Sequence, residues 1–127
     1  MRIFKSRWFA RYAKREHIPD ESLREAVERA ERGLVDADLG GGLIKQRIAR
    51  RGQGRSGGYR MLLAYRAAER TVFFYGFAKN ERDNIAADEL LSAREIAAHW
   101  LAADAREIAK AIEEGKLEEV QYDDEKN

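Results

Sequence analysis

Residues 45–79 read KQRIARRGQGRSGGYRMLLAYRAAERTVFFYGFAK, and this stretch decides the fold. Tyr59 to Arg66 and Thr71 to Ala78 are rich in aromatic and apolar residues, the composition of β-strands. Ala67 to Arg70 has the length of a hairpin connection. Upstream, Leu43 to Ala49 is a third strand, in which period two puts Lys45 and Arg47 on one face and Ile44 and Ile48 on the other. The same rule puts Arg60, Leu62, Ala64 and Arg66 on one face, and Phe73, Tyr75, Phe77 and Lys79 on one face of the next strand. Between Leu43–Ala49 and Tyr59–Arg66 lies a loop, Arg50 to Gly58.

Working outward, Arg2-Ile3-Phe4 is a short strand with Phe4 inward. Lys5 to Glu16 is a helix whose Trp8, Phe9 and Tyr12 recur at helical spacing and face the core. Arg7, Arg11, Lys14 and Arg15 make a basic stripe on another face, the ordinary pattern of a solvated surface. Pro19 breaks the chain and Asp20 is the N-cap of a second helix with Leu23, Ala26, Val27 and Ala30 buried and Gly33 at its end. Val35 to Leu39 is extended, and Gly40-Gly41-Gly42 is a break. Those glycines lack the following Gly-Lys-Ser or Gly-Lys-Thr of a nucleotide loop. From Ile85 the pattern is helical, Asp104 caps a further helix, Gly115 stops it, and Leu117 to Val120 is a last extended piece. Residues 1–120 make one domain, and residues 121–127 are a frayed acidic end.

Charge is distributed unevenly. Residues 1–79 hold 18 Lys and Arg against 9 Asp and Glu, whereas residues 80–127 hold 6 against 14. From Leu39 to Ala68 there are seven cations (Lys45, Arg47, Arg50, Arg51, Arg55, Arg60, Arg66) and no acid. Such a split points to a polyanionic partner for the first part. With no cysteine, disulfides and thiolate metal sites are excluded. MRIFKSRWFARY carries charges throughout and has no apolar h-region, so a cytoplasmic protein is expected.

The loop RRGQGRSGGYR combines four glycines, which let backbone approach a ligand, with Arg50, Arg51, Arg55 and Arg60, whose forked donors fit phosphate oxygens. This is a phosphate surface rather than a base-reading one. Asp83, Asp88 and Glu89 stand at a helix start, where acids complement the dipole, and His17 and His99 lie far apart in the chain. Metal and paired-imidazole routes are therefore disfavoured and no cofactor is expected. What remains is catalysis by Lys, Arg and Tyr on RNA, which brings its own nucleophile, the 2′-hydroxyl. Tyr59 or Tyr75 is placed to stack on a splayed base, although Phe73 and Phe77 on the same face as Tyr75 read as core.

The chain resembles the RelE/ParE/HigB-like superfamily of type II toxin–antitoxin toxins. The residues that carry the resemblance are Met1-Arg2-Ile3-Phe4-Lys5 with Trp8-Phe9-Ala10-Arg11, then GLVDADLGGGLIKQRIARRGQGRSGGYR from Gly33. YGFAKNERDNI from Tyr75 and the ending Gly115-Lys116-Leu117-Glu118-Glu119-Val120 complete it. It resembles most the RelE-type branch with extended C-terminal helices. The resemblance implies an α+β fold: two N-terminal helices packed on a small antiparallel β-sheet, followed by C-terminal helices. It also implies a cytoplasmic toxin neutralised by a cognate antitoxin, of helix-turn-helix type and encoded by the adjacent gene.

Many members are metal-independent endoribonucleases that cut mRNA on the ribosome, and ParE-like members instead inhibit DNA gyrase. Carried over by position, Lys45, Arg47, Arg50 and Arg51 match the cations of the middle strand. Arg60 matches the arginine opening the next strand, and Lys79 matches the Phe-x-Lys end of the last. The expected catalytic set is Lys45, Arg47, Arg60, Tyr75 and Lys79, with Arg50, Arg51, Arg55 and Tyr59 binding RNA. No His stands near the final strand. A gyrase inhibitor acting through the helical hairpin and a non-toxic RNA-binding module are the competing functions.

Overall fold

The computed structural model describes residues 1–50, 54–82 and 84–121, the side chains of Arg55 and Ser56 apart. In chain order the elements are β1 (Arg2–Ser6), α1 (Arg7–Arg15), α2 (Asp20–Glu31), β2 (Ala37–Gly40), β3 (Leu43–Arg50), β4 (Gly54–Arg66), β5 (Arg70–Ala78), α3 (Ala87–Ala102), α4 (Ala105–Glu113) and β6 (Leu117–Glu119). The strands form one sheet in the order β2-β3-β4-β5-β1-β6. Only the β1–β5 pairing is parallel. The fold is thus α+β with a mostly antiparallel sheet, as expected.

Helices cover both faces of this sheet. Ile44, Ile48, Met61, Leu63 and Phe73 pack under α1 and α2 with Phe9, Leu23, Ala26 and Val27. Leu43, Leu62, Ala64, Val72 and Phe74 pack under α3 and α4 with Ala93, Ala97, Leu101 and Ile108. Alternation along each strand feeds one layer and then the other, so Ile3 and Phe4 are both buried. The alanines of α3 let its backbone come close to the sheet. Its C-terminal end is held by Arg66, which donates to Leu101 O at 3.0 Å, and by Arg70, which donates to Trp100 O and Ala103 O at 2.8 and 2.7 Å. Cations there satisfy the last carbonyls and oppose the helix dipole.

Several local expectations are corrected. Asp20 is the first residue of α2 and Pro19 takes the capping position, leaving the acid to favour the dipole. The glycine-rich loop is shorter than expected, because β4 already begins at Gly54. Gly40, Gly41 and Gly42 all have positive φ and turn the chain from β2 into β3. Trp8 is not core but 45% exposed, because β1 turns into α1 beside the C-terminal half of β5 and leaves that edge open. The largest change is a bulge in β5. Leu62 pairs with Tyr75 while Leu63 pairs with Phe73, so Phe74 is the extra residue. Phe73 is thereby turned to the α1–α2 layer, and Tyr75 lies against the α3–α4 layer. The expectation that Phe73 and Tyr75 share a face fails because strict alternation does not survive a bulge. The expected acidic end, residues 122–127, lies outside the described residues.

Candidate functional site

The central antiparallel strands bring the expected cations together. Arg47 on β3 is the cross-strand partner of Arg60 on β4, which is the partner of Phe77 on β5. One pair further along, Lys45 faces Leu62, and Leu62 faces Tyr75. Lys45, Arg47, Arg60, Tyr75 and Phe77 therefore share the α3–α4 face, beyond the end where α3 begins. Directly opposed residues have backbones about 5 Å apart, and Lys45 is near enough to Arg60 and Arg47 to feel both charges.

Arg60 is buried at 6% exposure and Arg47 is exposed, and local chemistry holds the residues around them. Lys45 is half-buried and its Nζ donates to Asn84 Oδ1 at 3.4 Å. Burial, followed by the nearby charges of Arg60 and Arg47, lowers its pKa below the usual lysine value. Tyr75 is half-buried, stacked on Trp8 with ring centroids 4.9 Å apart. Arg82, which sequence reasoning left out, donates to the Tyr75 hydroxyl at 3.4 Å and lies over the Phe77 ring at 5.3 Å. It is also paired with Glu89. Glu89 accepts from the Ala86 N–H at the start of α3, and its pKa is lowered by Arg82 first and that backbone bond second. Lys79 follows the last residue of β5, and its N–H donates to Gly58 O at 2.9 Å. Tyr75, Lys79 and Arg82 all lie within YGFAKNER, so the signal for Arg82 was its spacing from the strand end.

Behind Arg47 lies a buried clasp that sequence reasoning also missed. Arg29 of α2, 4% exposed, donates to Asp36 at 3.2 Å, to Glu25 at 3.0 Å, and to the Arg47 carbonyl. Asp36 accepts from the Arg47 N–H at 2.7 Å. Gln46, fully buried, donates to Ala26 O at 2.9 Å and accepts from the Asp36 N–H at 2.7 Å. The backbone of Arg47 is thus gripped from the α2 side while its side chain projects from the other.

The remaining expected residues do not join this row. Tyr59 is 4% exposed, on the α1–α2 face, with its hydroxyl on Glu16 at 3.1 Å; burial raises its pKa first, and Glu16 adds to that. It therefore offers no open ring to a base, since it alternates with Arg60. Arg50 lies 5.5 Å over the Tyr59 ring and helps line a separate recess of about 510 Å³ with Arg15, Glu16 and His17. Arg66 caps α3 instead. The described cations of the acid-free run, Lys45, Arg47, Arg50, Arg60 and Arg66, are thus divided between the two faces and a helix end. Arg51, with Asp83, lies outside the described residues, as does the side chain of Arg55. Among the described residues no three His, Cys, Asp or Glu side chains gather as a metal site, and no helix is long and apolar enough to cross a membrane.

The family model described as the RelE toxin of the RelE / RelB toxin–antitoxin system matches residues 1–120. No curated protein matches the chain significantly.

Proposed function

We infer, from the premise that the chain belongs to the RelE toxin family of RelE/RelB toxin–antitoxin systems, that it arrests growth by cutting mRNA. Membership makes it a toxin with a cognate antitoxin as partner. The observation that carries the finer reading is the shared face of Lys45, Arg47, Arg60 and Tyr75 on three adjacent strands. Arg47 and Arg60 clamp the scissile phosphate and offset the charge that grows on it in the transition state. Lys45, with its lowered pKa, takes the proton from the 2′-hydroxyl. That oxygen attacks the adjacent phosphorus, the P–O5′ bond breaks, and a 2′,3′-cyclic phosphate is left. Tyr75, hydrogen-bonded to Arg82, gives its proton to the departing 5′-oxygen. Lys79 adds positive charge at the strand end.

Arg47 stands exposed at the surface, with Lys45 and Tyr75 half-buried and Arg60 buried at 6% exposure beneath it, an arrangement that suits a backbone presented by a large surface such as the ribosomal decoding site. The antitoxin, of helix-turn-helix type, would cover this row. Induction of the intact chain should halt growth and cut messages, mapped by primer extension, and Arg60→Ala or Lys45→Met should do neither. Growth arrest with intact messages and inhibited supercoiling by purified gyrase would instead identify a gyrase poison.

A further inference from the structure

A second feature adjoins the cationic row. A recess of about 450 Å³ is lined in part by Trp8, Leu62, Tyr75, Asp88, Ser92 and Ile96. Leu62 is the cross-strand partner of both Lys45 and Tyr75, so the recess begins where the row of cations ends. Its walls are apolar and left to water: Trp8 is 45% and Ile96 41% exposed. The indole is held in place by offset stacking, on Tyr12 at 5.2 Å and on Tyr75 at 4.9 Å.

The α3 rim of the recess has the opposite polarity to the row. Asp88 and Ser92, four residues apart, lie on one side of α3. Neither has a side-chain partner among the described residues, whereas Glu89 is already engaged by Arg82 and the Ala86 N–H. With Glu89 offset by Arg82, Asp88 is the charge that repels a phosphate from this rim, while Lys45, Arg47 and Arg60 draw it to the row. A nucleobase is flat, uncharged and carries donors on its edge. A nucleotide therefore has one favourable orientation across the two features, with its phosphate on β3–β4 and its base in the recess.

We propose that the Trp8 recess receives the base next to the scissile phosphate, and that Asp88 and Ser92 favour a base with an exocyclic amino group over uracil. The proposal rests on the RNA-cutting reading. Carboxylates accept from base amino groups, while the carbonyl edges of uracil face them unfavourably. Splayed bases stacked on aromatic side chains are the common mode of single-strand recognition.

The test uses the full chain with Trp100→Phe, which leaves Trp8 as the one indole. The probes are 2′-O-methyl pentanucleotides of A, C or U, which bind without being cut. Saturable quenching of Trp8 by the A and C probes is expected, with about tenfold weaker affinity for the U probe. Asp88→Asn should narrow that ratio, because an amide also donates. Ile96→Glu, at an exposed position, should remove the quenching. Equal response to all three probes, indifferent to both variants, overturns the proposal. So does an indole that responds to the antitoxin but not to RNA, which would make the recess a protein-docking groove. Message cleavage separates the failures: messages cut by the Trp100→Phe chain while its Trp8 responds to no probe sink this proposal alone, whereas an intact message with the unaltered chain sinks the cleavage reading as well.

Discussion

Arg47 and Arg60 are direct cross-strand partners on one face of the sheet. Like charges placed opposite each other cost about 0.2–1 kcal/mol. Here the cost is imposed by the fold, since the clasp around Asp36 and Gln46 fixes the register of β3. Arg47 is the exposed member of the pair. Arg47→Gln should therefore leave the melting temperature unchanged or raise it by a few degrees, roughly what 1 kcal/mol gives a domain of this size. The same change should lower message cleavage at least about tenfold, because a charge-assisted phosphate contact is lost. Calorimetry and a cleavage assay on one preparation check both halves, and a drop of stability and activity together would contradict the account.

On the cleavage reading, Lys45 ties activity to pH. Its pKa is lowered by burial and then by Arg60 and Arg47. Folded, it releases its proton at lower pH than in the unfolded chain. Between those two values the unfolded chain binds more protons, so stability rises with pH across that window. Below it the penalty is fully present. Lys45→Met should thus be at least as stable as the unaltered chain at neutral pH. Cleavage should climb with pH toward the lowered pKa, with a midpoint below the usual lysine value of about 10.4. Lys45→Arg keeps the charge but cannot give up its proton, so it should lose about a hundredfold or more in rate and flatten the profile. A pH–rate curve unchanged in that variant would remove Lys45 from the proton transfer.

The strands around Lys45, Arg47 and Arg60 were legible because Ile44, Ile48, Tyr59 and Met61 feed the buried α1–α2 layer while the cations alternate with them on the other face. The glycine-free run from Leu43 to Ala49 leaves little room for another register. The expectation that Phe73 shares a face with Tyr75 failed because a bulge in β5 falls between them. A bulge at Phe74 carries no composition signal, since Phe73, Phe74 and Tyr75 look alike as strand residues. Trp8 has the spacing of a core residue, and only the position of β1 relative to β5 exposes it. Arg29 was invisible as a buried residue because helix periodicity places it beside Ala30 and Ala26, and charge argues for solvent. Its burial follows from three acceptors contributed by separate segments, which no local pattern records. Arg66 read as one more cation of the acid-free run, but its role is set by where α3 ends.

The Arg29 clasp gives a stability prediction of its own. Arg29 is the buried centre of contacts to Glu25, Asp36 and the Arg47 backbone. Asp36→Ala leaves that guanidinium short of a carboxylate and also frees the Arg47 N–H. Breaking a buried pair from one side costs about 3–5 kcal/mol. Urea denaturation should show a loss in that range, with an unchanged slope if the unfolded chain is unaffected. Glu25→Ala, at the exposed end of the same network, should cost about 1 kcal/mol or less. Equal losses would mean that the interior and exterior contacts are not distinct.

Gly58 fixes how closely β3 and β4 approach next to Arg60. A Cβ there would lie 2.2 Å from Ile48 O and 2.7 Å from Arg50 N. Both are backbone atoms, which cannot swing aside as a side chain does. The same stretch is anchored on its other side, where Lys79 N–H donates to Gly58 O. Gly58→Ala must therefore push the strands apart locally, at a cost of about 1–3 kcal/mol or more. Gly54 is a control from the same strand: its Cβ would meet nothing within 4 Å, but its φ of +63° charges a side chain about 1–2 kcal/mol. The two variants should differ most in function. Displacing Arg60 by even about 1 Å can cost a hundredfold in rate, so Gly58→Ala should be nearly inactive while still folded at low temperature. Gly54→Ala should keep most of its cleavage. Similar activity in the two, measured well below both melting temperatures, would show that strand separation at Gly58 does not govern where Arg60 stands.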